Sequence, residues 1–236
     1  MTRYRSIAAR ANFLAQDRPD IRLAVKELCR DMAKPTQASW RKMKKLARYL
    51  KGQPRMVQKI RLSAGGIGDE VRVIVDSDWA GCSSTRRSTN GGCIMVGDIC
   101  LKSWSTTQRV VALSSGEAEY YAAVKGASEG LGFIAGCVDL GIWKSEDVLL
   151  KVLTDSSACK GICQRTGLGK VRHIDVALLW LQDMVRRGRI SMRKVPGREN
   201  PADMFTKYLA GARISEISKG LGFCVQDGRS HIVDAA

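Results

Sequence analysis

The chain has 236 residues and a mass of 25.9 kDa, room for one domain of ordinary size with an appendage and too little for two catalytic domains. With 44% apolar and 26% charged residues and a mean hydropathy of -0.16 it can bury a core, which excludes a disordered or fibrous chain. Its formal charge of +16 sits at the front: residues 1–60 hold 16 basic and 4 acidic side chains, the pattern a polyanion attracts through counterion release.

No apolar run approaches the roughly 18 residues of a membrane span, and the opening Met1–Arg5 leads into no signal-peptide core, so a soluble, non-secreted protein is expected. Eight cysteines without a CxxC pair, and two distant histidines, His173 and His231, argue against a zinc site. Buried free thiols are expected instead.

In chain order, Arg18-Pro19-Asp20 opens a helical pattern with Ile21, Val25, Leu28 and Met32 on one face. Thr36 is the expected N-cap of a second helix, with Trp40, Met43, Leu46 and Leu50 on its apolar stripe and Gly52 as its stop. Its other face carries Arg41, Lys42, Lys44, Lys45, Arg48 and Lys51. Two short β-like runs, 56–62 and 70–76, flank a turn built on Gly65, Gly66 and Gly68. A hairpin is expected about Gly97-Asp98, between Cys93–Val96 and Ile99–Trp104. The period then changes to helix from Ser114 to about Leu140, strand Val148–Thr154, helix Ser156–Cys163, helix Arg172–Arg187, strand Ile190–Val195 and helix Pro201–Leu209. Beyond Gly211 the signals weaken. Strands followed by strand–helix alternation imply an α/β fold, a mixed sheet with helices packed on it.

Two of the expected strands end on carboxylates, Asp76 and Asp155. As parallel neighbours they would emerge side by side at the C-terminal edge, where α/β sheets bind ligands; each could equally start a turn. A third carboxylate comes from the helix at Ser114. Glu117 completes a capping box with Ser114 and can reach back to its amide. Glu119 lies about 200° around the helix, in line with Ala122, Ala123, Gly126 and Gly130, small residues that would let the helix lie close to the sheet. Glu119 is therefore favoured over Glu117. Asp203 is a fourth candidate, although Asn200 as N-cap and Pro201 at the first position also make it a first-turn acid. Clustered carboxylates repel unless hard cations lie between them, and magnesium suits an all-oxygen set.

These residues resemble the ribonuclease H domain of copia-type retrotransposon Pol polyproteins. Asp76-Ser77-Asp78-Trp79-Ala80-Gly81, Arg86-Arg87-Ser88-Thr89-Asn90-Gly91, Trp104-Ser105, Ser114–Tyr120, Thr154-Asp155-Ser156, His173-Ile174-Asp175 and Ala202–Lys207 follow the family's motifs in order. Tyr4-Arg5-Ser6, Arg18–Ile21, Lys34-Pro35-Thr36, Trp40 and Arg48–Gly52 are similar to the segment that joins reverse transcriptase to nuclease in those polyproteins. The resemblance implies a basic helical connection-like segment (1–60), a ribonuclease H-like five-stranded mixed sheet flanked by helices (61–210), and a C-terminal tail (211–236).

It further implies a Mg²⁺-dependent endonuclease that hydrolyses the RNA strand of RNA–DNA hybrids, leaving a 3′-hydroxyl and a 5′-phosphate. Asp76, Glu119 and Asp155 would hold two ions, with Mn²⁺ as a substitute for Mg²⁺, and Asp203 would complete one shell. Asn90, Ser114 and Ser115 are candidates for sugar-hydroxyl contacts, and Arg86, Arg87, Lys170 and Arg172 for phosphates. Partners would be the hybrid and reverse transcriptase or other Pol-derived domains, with no membrane, in a retroelement particle of the cytoplasm or in the nucleus. His173 and Asp175 read as residues near the start of the 172–187 helix without a catalytic part. Two other readings are a transposon-derived nucleic-acid-binding module that no longer cleaves and a connector that only joins domains; cleavage and hybrid affinity separate the three.

Overall fold

The computed structural model describes residues 1–60, 70–144, 147–171 and 173–227. Helix α1 (Thr2–Leu14) precedes a tight 3₁₀ turn at Pro19–Ile21, α2 (Arg22–Arg30) and α3 (Gln37–Gly52). α3 starts where expected: Thr36 Oγ1 accepts the Ser39 N–H at 3.3 Å, and Ser39 Oγ accepts the Thr36 N–H at 3.0 Å. The three helices share a core of Tyr4, Ala8, Val25, Leu28, Met43 and Leu46. Inside it the Tyr4 hydroxyl donates to Leu28 O at 2.9 Å, and its ring meets Trp40 edge-on.

The strands are β1 (Met56–Gln58), β2 (Glu70–Asp78), β3 (Thr89–Val96) and β4 (Ile99–Thr107). After them come α4 (Ser115–Asp139), β5 (Leu149–Thr154), α5 (Ser157–Gln164), α6 (Trp180–Arg186), β6 (Ile190–Lys194), α7 (Gly211–Gly220) and β7 (Phe223–Val225). β4-β3-β2-β5-β6 form one mixed sheet, antiparallel on the β3–β4 side and parallel from β2 through β5 to β6. This is the mixed five-stranded, helix-flanked sheet that the ribonuclease H resemblance implies. The hairpin turns on Gly97, whose φ of 54° is open to glycine at no steric cost.

Alternation along β2 divides the core. Val71, Val73 and Val75 pack with α4, while Ile74 faces Met204, Phe205, Ile217 and Phe223 on the opposite side. The glycines of α4 act as the spacing suggests: a Cβ at Gly126 would lie 2.5 Å from Val75, and one at Gly130 2.7 Å from Leu150. The helix therefore lies directly on the sheet.

Several elements differ from expectation. α1 has no large apolar stripe; its buried face is Tyr4, Ala8 and Ala11, so composition hides it. The 172–187 helix is replaced by a 3₁₀ turn at Val176–Leu179, capped by Asp175, and the shorter α6. The last expected helix is a 3₁₀ turn at Pro201–Phe205, after which Thr206 and Lys207 turn toward β2. The run at 56–62 does not pair with 70–76 among the described residues: β1 pairs with β7, Met56 opposite Val225. The glycine turn between the two runs lies outside the described residues.

Close helix–sheet approach should be measurable. Gly130→Ala should lower unfolding free energy by about 1–3 kcal/mol through overpacking. Gly132→Ala, two positions on where a Cβ meets nothing within 4 Å, should raise it by about 0.5–1 kcal/mol. Urea unfolding of both variants checks the contrast; equal shifts would contradict it.

Candidate metal centre

β2 runs parallel to β5 with Ile74 opposite Leu153, so Asp76 and Asp155, each two residues farther on, leave the sheet in the same register. Ser114 fixes the start of α4 by accepting the Glu117 N–H on its Oγ at 3.2 Å. From the first turns of that helix Glu119 reaches the sheet edge. Its Oε1 accepts the Ser77 N–H at 3.2 Å, and its Oε2 accepts the Thr154 hydroxyl at 3.4 Å. Carboxylate oxygens of Asp76, Glu119 and Asp155 consequently all lie within 4.8 Å of one another.

Asp76 is 1% exposed and Glu119 8%. Burial disfavours their charged forms, and like charges add to the effect. Burial first, then Asp76 and Asp155, push Glu119 up to about 8. Burial also raises Asp76, against the lowering influence of the Thr206 hydroxyl and the Lys207 ammonium.

Asp203 stands apart from this triad. Its Oδ1 receives Lys207 Nζ at 2.5 Å, and the same ammonium lies 3.3 Å from Asp76 Oδ1. Asn200 places the segment: its Oδ1 accepts the Ala202 N–H at 3.0 Å, capping the 3₁₀ turn, while its Nδ2 donates to Val75 O at 3.1 Å. Thr206 donates its hydroxyl to Asp76 Oδ2. The close pass explains Gly91, where a Cβ would lie 2.6 Å from Thr206 and 2.8 Å from Phe205. Lys207 loses hydration by burial, yet Asp203 and Asp76 outweigh that and raise its pKa.

Glu117 is diverted elsewhere. Its Oε2 accepts the Leu113 N–H at 2.9 Å and lies 2.6 Å from His173 Nε2. The expected reach to the Ser114 amide is thus replaced by the preceding amide and an imidazole. His173 holds Glu117, and Asp175 is the cap of its turn, with Oδ1 accepting the Ala177 N–H at 2.9 Å.

The remaining sequence candidates are dispersed. Asn90 is buried, and its Oδ1 accepts Gln108 Nε2 at 2.6 Å. The Ser114 Oγ already serves as the cap, while Ser115 is exposed. Arg86, at φ 56°, and Arg87 are exposed in the loop after β2, and Lys170 is exposed before α6. Arg172 lies outside the described residues. Sequence spacing does not single out Thr206 or Lys207, although Lys207 follows Asp203 at i+4, where an acid and a lysine meet.

Two buried carboxylates, Asp76 and Glu119, with the half-buried Asp155 beside them, offer oxygen donors alone and fit a hard divalent cation, whose charge would offset the repulsion among them. Among the described residues no helix is long and apolar enough to cross a membrane.

No family model matches the chain. It is 31% identical over 193 residues to the retrovirus-related Pol polyprotein from transposon TNT 1-94 of Nicotiana tabacum, covering 81% of this chain and 14% of that one. Against the retrovirus-related Pol polyprotein from transposon RE2 of Arabidopsis thaliana it is 29% identical over 222 residues, 94% of this chain and 15% of that one. The chain thus spans about one seventh of the length of these relatives. Among solved structures, the N-terminal RNase H domain of a Mycobacterium tuberculosis protein, fused to maltose-binding protein, is similar at 20% identity and a TM-score of 0.40. That match covers 64% of this chain and 98% of that domain.

Glu119 sets a pH dependence in the metal-free protein. Its folded-state pKa of about 8 lies above the ordinary 4.5, so the folded state binds the extra proton, and stability should fall as pH rises through that window. Glu119→Gln should remove this slope and raise the melting temperature at pH 8 in EDTA by roughly 4 °C or more. Glu117→Ala should instead cost about 1–3 kcal/mol, because the His173 imidazole and the Leu113 amide lose a buried partner. Thermal melts at pH 5 and pH 8 distinguish the two, and a pH-independent gain for Glu119→Gln would contradict the assignment.

Proposed function

Because the chain is homologous to copia-type Pol polyproteins along most of its length, we propose that its ribonuclease H-type domain is a divalent-metal-dependent endonuclease for the RNA strand of RNA–DNA hybrids. The observation that carries this reading is the convergence of Asp76, Glu119 and Asp155 from β2, α4 and β5 within 4.8 Å. Mg²⁺, or Mn²⁺ in its place, supplies the Lewis acidity that phosphodiester hydrolysis needs.

The chain's own residues prepare the place. Asp76 is oriented by Thr206, Glu119 by the Ser77 amide, and Asp155 sits at the open rim, where a Cβ on Gly197 would lie 3.2 Å from its Oδ2. Substrate contacts then fall to groups not consumed by the fold. Arg86, Arg87 and Lys170 are exposed and suited to phosphates, and Ser115 offers a free edge of α4 for a sugar hydroxyl. Asn90 lines a cavity of about 880 Å³ whose mixed wall holds Arg109, Lys125 and His173 beside Val110, Leu178 and Trp180, and its cations suit a nucleic-acid backbone. We read residues 1–60 as a connection-like segment and 61–210 as the nuclease. α3 carries no acid among its cations, which supports a polyanion against that face.

Labelled RNA–DNA hybrid incubated with Mg²⁺ tests the reading. Cleavage should leave a 3′-hydroxyl, stop with EDTA, and fall roughly 10²-fold or more in Asp76→Asn or Asp155→Asn while hybrid binding persists. Binding without cleavage in the unaltered chain would overturn it in favour of a non-cleaving module.

A further inference from the structure

The acidic group is not served equally around its rim. Of the three converging carboxylates, Lys207 forms an ion pair with Asp76 at 3.3 Å, and the same ammonium sits closer, at 2.5 Å, to Asp203. That nitrogen lies 2.5 Å from Asp203 Oδ1 and 3.3 Å from Asp76 Oδ1, the place a cation would take to share those two carboxylates. Lys207 is positioned from within its own turn, since its backbone N–H donates to Asp203 O at 2.9 Å. The side chain is 45% exposed, against 1% for Asp76, so its head can leave for solvent by rotating about its four-carbon stem without opening the core.

We propose that Lys207 is a displaceable counter-cation of this centre: it occupies the Asp76–Asp203 side of the site, and a divalent ion that takes Asp203 as a ligand must first evict it. This rests on the reading of Asp76, Glu119 and Asp155 as metal ligands and adds an inequality to it. The Asp76–Glu119–Asp155 side takes an ion against the longer Lys207 contact alone, the one to Asp76. The Asp203 side takes one only at the expense of two ammonium–carboxylate contacts, and its apparent affinity is reduced accordingly. Lys207 is thus a positioning residue that sets the order in which the two sides fill.

Mn²⁺ titration of the full chain, followed by isothermal calorimetry and by the electron paramagnetic resonance signal of free Mn²⁺, reads this without any turnover. The unaltered protein should show one tighter ion and a second at least tenfold weaker. Lys207→Met should strengthen the weaker one by tenfold or more and leave the tighter one within about twofold, while Lys207→Arg keeps the gap. In an Asp203→Asn background Lys207→Met should change neither, because the ligand it guards is gone. Unchanged Mn²⁺ binding in a folded Lys207→Met protein, with the unaltered chain still binding, overturns the proposal alone and leaves a purely structural ion pair. No binding by either protein overturns the metal reading together with it. If Lys207→Met does not fold, Lys207→Gln carries the same comparison, its fold checked by circular dichroism.

Discussion

Negative charges held together in a poorly solvated place are the constraint on which the rest of the structure depends. Three carboxylates within 4.8 Å of one another, two of them nearly out of water, oppose folding unless something positive joins them or some of them keep a proton. Both remedies are visible. Glu119 holds its proton well past the usual carboxylate range, and Lys207 spans Asp76 and Asp203. An arrangement of this kind, with donors from β2, α4 and the end of β5, is one whose repulsion the proposed cation would relieve.

Backbone geometry then explains why the acids meet. Parallel pairing of β2 and β5, with Ile74 opposite Leu153, brings Asp76 near the end of β2 level with Asp155 just past β5, and glycines on α4 permit the close approach that carries Glu119 there. Gly91 plays the same part on the opposite face, leaving room for the 201–206 segment. The apolar core and the polar rim are therefore set by the same few close contacts. Asn200, with one end on its own turn and the other on Val75 O, ties them together.

Much of this was legible in the chain. The valines of β2, the Gly97-Asp98 hairpin, Thr36 and Ser114 as caps and the small-residue line on α4 all report local preferences that tertiary packing follows. That Glu119 and not Glu117 reaches the sheet edge was legible too, because opposite helix faces reach different neighbours. What local pattern cannot carry is pairing across long separations. Glu117 meets His173 fifty-six residues away, Thr206 meets Asp76 across one hundred and thirty, and neither spacing leaves a mark in sequence. α1 was hidden for another reason, since its buried face is largely alanine and lacks the contrast that reveals an amphipathic helix. The 3₁₀ turn after Asn200 shows a cap read correctly and a length misjudged, whereas Asp175, read as an acid near the start of a long helix, caps a short 3₁₀ turn ahead of the shortened α6.

The small ladder of β1 with β7 joins residues 56–58 to 223–225, so its three-residue edges meet only after nearly everything between them is in place. Closing so large a loop for so few hydrogen bonds is entropically poor and belongs late on the folding route. On a ribosome, β1 emerges long before its mate and waits as an open edge through the synthesis of the whole central sheet. The same economy leaves that clasp a weaker seam than the five-stranded sheet beside it, while the helical front keeps its own hold on that sheet through Arg22 to Ser103 and Lys26 to Thr89.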